Sequence, residues 1–188
     1  MKVGVLALQG DFREHIASSQ ACGHEALSVR SESELVGVDA LILPGGESTT
    51  IALLAQSYGL FSPIQKAIAD GLPVYGSCAG MILLADRILD GAQGQKTFGG
   101  IDMTVRRNAF GRQVESFESE IEFAGQVVNG VFIRAPWVEE VGKGVEILAH
   151  SGSHPVAVRS GSLMATSFHP ELTSDNAVHR YFFDEICR

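Results

Sequence analysis

From Val3 to Leu8 the chain is apolar almost without interruption, the pattern of a strand buried on both faces. Beyond it, Phe12, Ile16 and Ala17 share one side of a helix expected from about Phe12 to Cys22. Glu25–Val29 reads as a second, weaker strand. Asp39–Leu43 (Asp-Ala-Leu-Ile-Leu) reads as a third, stopped by Pro44-Gly45-Gly46. Ser48 is placed to cap a helix running to about Ser57. A further helix is expected from Phe61 to Asp70, ended by Gly71. A short strand at Pro73–Gly76 and an amphipathic helix over Ala79–Arg87 follow. This alternation of strand and helix implies a parallel sheet with helices on both faces.

The second half changes period. Ile101–Arg106, Glu118–Phe123, Val131–Ile133, Glu146–His150, Pro155–Arg159 and Leu163–Ser167 are short strand candidates, punctuated by Gly, Asn and Ser. Asp90–Gly100 is rich in Gly and Gln and reads as a loop. Asn176–Ile186 is expected to be the closing helix. No repeat, linker or low-complexity stretch divides the chain, so residues 1–188 are expected to form a single domain with a mixed sheet.

Composition narrows the function. The chain has 188 residues, 45% hydrophobic and 19% charged, enough for a proper core. Its formal charge of −8 argues against a nucleic-acid partner, whose phosphates require a basic face. No apolar run reaches the eighteen or so residues of a membrane helix. The N-terminus carries one charge and then a short apolar run, better read as a buried strand than as a signal peptide. The cysteines, Cys22, Cys78 and Cys187, are few, odd in number and without a CxxC pair. They suggest neither a disulfide framework nor a metal site, and point to a reducing, cytoplasmic compartment in which one thiol is free to react.

Three segments carry candidate chemistry. Gly76-Ser77-Cys78-Ala79-Gly80 lies between a short strand and a helix and has the G-x-C-x-G form of a nucleophile elbow. The glycines make room for a sharp turn, and the helix N-terminus favours a thiolate. A buried cysteine at a tight turn would satisfy the same five residues. In His169-Pro170-Glu171, Pro170 pushes His169 towards extended backbone, and residues two apart in a strand point the same way. Imidazole and carboxylate would then stand side by side, as a base and its orienter do. A histidine at a strand end beside an exposed glutamate is the plainer alternative. Leu43-Pro44-Gly45-Gly46-Glu47-Ser48-Thr49 opens a helix after a strand, where a backbone N–H of Gly46 could join that of Ala79 in an oxyanion hole. A glycine-rich turn with a capping serine accounts for it equally. Arg106, Arg107 and Arg112 read by charge alone as a solvated basic cluster.

Taken in order, the Pro-Gly-Gly loop, Gly-x-Cys-x-Gly and the late His-Pro-Glu resemble the class I, triad-type glutamine amidotransferases. Longer matches narrow this to the glutaminase subunits of pyridoxal 5′-phosphate synthase: Leu8-Gln9-Gly10-Asp11-Phe12-Arg13-Glu14-His15, Gly45–Thr50, Arg107-Asn108-Ala109-Phe110-Gly111-Arg112-Gln113, Phe132–Pro136 and Ser167–Leu172. Two small departures, Trp137 after Ala135-Pro136 and the loop Asp90–Thr97, fall away from the triad positions. The resemblance implies a three-layer, flavodoxin-like α/β sheet, mostly parallel with added antiparallel strands. It implies hydrolysis of L-glutamine to L-glutamate and ammonia, with Cys78 as nucleophile, His169 as base and Glu171 as its orienter. Gly46, Glu47, Ser48, Arg107, Ile133 and Arg134 would bind glutamine, and Gln9 would lie near the oxyanion site and the partner interface. Neither metal nor organic cofactor is implied. The partner would be a synthase subunit with the form of a (β/α)₈ barrel, assembled as a dodecamer that carries up to twelve glutaminase subunits. It would use the ammonia with a pentose phosphate and a triose phosphate. Ammonia released into water is protonated and no longer a nucleophile, which independently favours a docked acceptor. A cysteine peptidase or another amidotransferase of the same fold, and a non-catalytic regulatory subunit, are the competing readings.

Overall fold

The computed structural model describes residues 1–110 and 116–188. Arg112, and with it the Gly111-Arg112-Gln113 end of one motif, lies outside the described residues. The chain runs β1 (Lys2–Leu6), α1 (Phe12–Ala21), β2 (Glu25–Val29), α2 (Glu32–Leu35), β3 (Ala40–Leu43), α3 (Ser48–Ser57), α4 (Phe61–Ala69), β4 (Val74–Ser77) and α5 (Ala79–Leu84). It continues through β5 (Ala85–Leu89), β6 (Ile101–Arg106), β7 (Phe117–Phe123), β8 (Gln126–Phe132), β9 (Trp137–Val141), β10 (Glu146–Ser151), β11 (His154–Ser160) and β12 (Leu163–Thr166). A 3₁₀ turn at Pro170–Leu172 and helix α6 (Ala177–Tyr181), which passes into a π turn over Phe182–Ile186, complete it.

Among the described residues the largest sheet has seven strands in the order β10-β11-β12-β4-β3-β1-β2. Strands β12, β4, β3, β1 and β2 are parallel, while β11 and β10 add on antiparallel. Alternation along each strand builds two cores. Leu41, Leu43, Val74 and Leu163 face Ile51, Ile64 and the whole of α5. Val3, Val5, Ile42 and Tyr75 face Val178 and Phe182 of the last helix, with Phe12 and Ile16 of α1 against the margin. The expected three-layer α/β architecture is therefore present, with helices on both faces of a mainly parallel sheet.

Five expectations need correction. The helix beginning at Ala79 ends at Leu84 rather than Arg87, because Ala85–Leu89 pairs in parallel with β6. Nor is that helix amphipathic: all six residues of α5 are buried. On α1 the buried residues are His15, Ser18 and Ser19, a polar face, while Phe12 and Ile16 are only partly covered and Ala17 is exposed. Helix α3 is capped by Glu47, whose side chain accepts from the N–H groups of Thr49 and Thr50; Ser48 is instead its buried first residue. Of the strand expected at Val131–Ile133, Val131 and Phe132 are the end of a longer one and Ile133 lies beyond it. Ala124 and Gly125, both at positive φ, form the two-residue turn that pairs β8 with β7 along its full length. Strand β9 and the short α2 were not foreseen.

Candidate active site

The sheet register gathers the candidate residues. Leu43 of β3 lies opposite Gly76 of β4, and Ser77 of β4 opposite Thr166 of β12. With β1 on the other side of β3, four adjacent parallel strands end on one edge. Gln9–Asp11, Pro44–Glu47, Cys78 and Ser167–Glu171 all emerge there, on the carboxyl edge where open α/β sheets carry their sites.

Cys78 sits at φ 46°, ψ −97°, a left-handed conformation that costs about 1–3 kcal/mol for a residue with a side chain. Its N–H donates to the Thr166 carbonyl at 2.8 Å, which fixes the turn. The flanking glycines are needed for contact: a Cβ on Gly80 would stand 2.3 Å from the Leu43 carbonyl oxygen, and one on Gly76 2.5 Å from Gly80. The thiol lies 3.9 Å from the Ile133 carbonyl oxygen. Ala79 is the first residue of α5, so its N–H has no acceptor within the helix.

His169, three residues past the end of β12, faces this thiol, buried to 4% exposure, and its backbone N–H donates to the Val131 carbonyl of β8 at 2.9 Å. Glu171 Oε1 lies 2.8 Å from His169 Nδ1, and Glu171 is 6% exposed. The two side chains meet as expected, but through a turn. His169 is extended at φ −107°, and Glu171 is brought round by the 3₁₀ turn that Pro170 opens. Burial alone would lower the His169 pKa. The charge of Cys78, the hydrogen bond to it and the Glu171 carboxylate outweigh that and raise it to about 11. Burial likewise opposes charge on Glu171, yet His15 and His169 hold its carboxyl well below the usual range. Asp11 adds a second carboxylate 3.6 Å from His169 Nδ1. Asp11, His169 and Glu171 together offer three ligand atoms within 4.8 Å of one another. A metal on Nδ1 would displace the 2.8 Å bond to Glu171, so the trio fits a held imidazole better than a cation.

The Pro-Gly-Gly loop packs directly on this pair. A Cβ on Gly45 would come within 2.4 Å of His169 Cε1, so only glycine lets the ring approach. Gln9 Oε1 accepts from the Glu47 N–H at 2.8 Å, which places Gln9 behind the loop and against Gly46. Glu47 binds Arg107 at 2.9 Å while capping α3; burial opposes its charge, but the hydrogen bonds from Thr49 and Thr50 take its carboxyl down to about 2. Arg107 and Arg106 part company. Arg107 turns inward, its side chain 15% exposed. Arg106 pairs on the surface with Asp90 and Glu139. A solvated cluster therefore describes Arg106 alone of the two.

Gly46, Glu47, Ser48, Cys78, Ala79 and His169 line a single cleft of about 470 Å³, closed on its far side by Arg107, Ile133 and Arg134. Cys78, Asn108 and Arg134, three of the five non-glycine residues at positive φ among the described residues, lie on its wall. Backbone strain is thus concentrated where the expected site is.

Sequence reasoning passed over four residues here. Gln95, in the loop read only as glycine-rich, receives Arg107 at 2.8 Å and donates to Ser48 Oγ at 2.8 Å. Asp11 was seen only as part of a motif. His15 and His179 lie behind Glu171, and His15 Nε2 is 3.4 Å from Glu171 Oε2. One signal was available: His15, Ser18 and Ser19 recur at helical spacing, a polar stripe on a helix that must pack.

Residues 5–188 match the SNO glutamine amidotransferase family. The chain belongs to that family. Relatives at high identity point the same way. The chain is 60% identical over 194 residues to the pyridoxal 5′-phosphate synthase subunit PdxT of Kineococcus radiotolerans, with 98% of this chain and 94% of that one aligned. It is 59% identical over 186 residues to the subunit of the same name from Mycolicibacterium vanbaalenii, covering 96% and 95%. A crystal structure of a glutamine amidotransferase superposes at TM-score 0.91 with 52% identity, over 97% of each chain. The structure of PurLQS from Thermotoga maritima, 14% identical at TM-score 0.66 over 97% of each chain, shares the fold. Membership of the SNO glutamine amidotransferase family and the α/β fold class both agree with what the motifs implied.

Proposed function

We propose that this chain hydrolyses L-glutamine to L-glutamate and ammonia, and passes the ammonia to a docked pyridoxal 5′-phosphate synthase subunit. One observation carries the reading: a strained cysteine at a strand-to-helix elbow faces a buried imidazole whose Nδ1 is bound by a buried carboxylate at 2.8 Å. The Cys78 thiolate attacks the side-chain amide carbon. The oxyanion is held by the N–H groups of Ala79 and Gly46. His169, charged beside the thiolate, gives its proton to the departing ammonia and then draws one from water, which cleaves the glutamyl thioester. Glu171 keeps the imidazole in the tautomer this requires. Arg107 supplies the positive charge for the α-carboxylate of glutamine, with the Glu47–Ser48 backbone and Ile133-Arg134 shaping the rest of the cleft. Gln9, which fixes the Glu47 N–H, links the oxyanion loop to the partner.

The partner reading rests on relatives named as subunits of pyridoxal 5′-phosphate synthase. It commits residues 1–188 to one glutaminase domain, docked on a dodecameric barrel core with up to twelve such subunits. The three cysteines are unpaired, in keeping with a cytoplasmic setting. Ammonia release from glutamine, measured with the synthase subunit present, tests the proposal. Cys78→Ala should abolish it; release that continues unchanged in this variant sinks the assignment.

A further inference from the structure

The triad as proposed leaves one half of its carboxylate unexplained. Glu171 Oε1 is taken by His169, but Oε2 is buried and makes no hydrogen bond among the described residues. What faces it is the edge of His15, with Nε2 at 3.4 Å. The same Nε2 lies 2.9 Å from Ser77 Oγ, in the residue before Cys78. On its other edge, His15 Nδ1 is 3.0 Å from His179 Nε2. Both rings are wholly buried, and His179 Nδ1 has no partner among the described residues.

These contacts admit one low-cost placement of protons. A bare lone pair on Nε2 would face the ionised carboxylate 3.4 Å away, so that edge of His15 carries N–H at lower cost, and Ser77 Oγ at 2.9 Å accepts it. A neutral His15 protonated on Nε2 has a lone pair on Nδ1, which then accepts from His179 Nε2–H. That leaves His179 Nδ1 as a bare lone pair. The reverse order would aim the His15 lone pair at the carboxylate and strand an N–H of His179 in the apolar core. A buried donor without an acceptor carries the full desolvation penalty.

We infer that His15 is a positioning residue for the proposed triad: its Nε2–H, set by His179, donates to Ser77 Oγ beside the elbow and presents its positive edge to the rear oxygen of Glu171 3.4 Å away. Against that edge the carboxylate is favoured in the orientation that faces His169. The inference rests on the triad reading but concerns a separate property, the direction of the proton chain from α6 to Glu171.

Two measurements test it. In the intact chain, histidine ¹⁵N spectra should place the protons of His15 and His179 on Nε2. A proton on His15 Nδ1 overturns the inference, and this readout needs no variant to fold. In the complex with the synthase subunit, His15→Met should lower kcat about 10-fold at little-changed KM, the scale of one lost hydrogen bond. His15→Gln, which keeps an N–H donor, should recover most of that. Equal rates in the methionine variant and wild type, or equal impairment in both variants, overturn the inference. Persistent ammonia release by Cys78→Ala would remove the glutaminase reading while leaving the tautomers as found, so the two failures are distinct.

Discussion

Two carboxylates serve this cleft from opposite sides, and they differ in almost everything but charge. Glu47 stands on the rim with its side chain 45% exposed, bound by Arg107 and by the first turn of α3. Glu171 stands behind His169 with its side chain fully buried, facing two imidazoles. The rim pair is screened by water, so its ionic attraction is worth little on its own; its contribution is to aim Arg107 while capping a helix. The rear pair is dry, and taking one partner from an interior charge costs about 3–5 kcal/mol. On the proposed mechanism, one side of the site serves recognition and tolerates adjustment, and the other serves chemistry and does not.

Breaking the rear should do the most damage. Glu171→Gln keeps the shape and removes the charge, so kcat for glutamine hydrolysis should fall on the order of 10³-fold, with KM nearly unchanged. A loss no larger than that of a rim variant would erase the contrast. On the rim, Arg107→Met should raise KM for glutamine roughly 10- to 100-fold and leave kcat within a few-fold, read from the same saturation curves. A drop in kcat alone would move Arg107 to the chemical side.

The smallest effect is a slope. Burial, with His15 beside it, lowers the His179 pKa from its usual 6.5 to about 3. The unfolded chain therefore binds a proton near pH 6.5 that the folded chain refuses until about pH 3. Stability from this group is complete above pH 6.5 and is lost as pH falls towards 3, by at most about 1.4 kcal/mol per pH unit. Urea unfolding at pH 7 and pH 5 should resolve it, and His179→Gln should flatten the difference. An unchanged slope in that variant would place the acid sensitivity elsewhere.

The contrast also explains what could be read from the chain beforehand. Cys78, the Gly45-Gly46 loop and His169-Pro170-Glu171 were legible because each is a contiguous device. A strained turn needs particular glycines, and a proline dictates the backbone before it. The parallel half of the sheet was legible because strands buried on both faces are plain apolar runs. The rear array was not, since its contacts span 62 residues from His15 to Ser77 and 164 from His15 to His179. Only the fold brings them together. The misread helix end at Leu84 has a related cause: the charged pair Asp86-Arg87 after the apolar run Ala79–Ala85 looks like the exposed side of an amphipathic helix, whereas it lies on a strand paired with β6. Glu47 displaced Ser48 as the cap because its longer carboxylate reaches back to two N–H groups at once.

The register that joins β3, β4 and β12 has a consequence for how such a protein can change. Each group of the proposed triad hangs from the same edge of adjoining strands, so the sheet acts as a gauge against which the loops are cut. Inserting one residue into β4 would carry Cys78 about 3.3 Å along the strand and reverse the face of each residue beyond it. Loops can therefore lengthen or drift in composition, while the strands behind them are held to a fixed count.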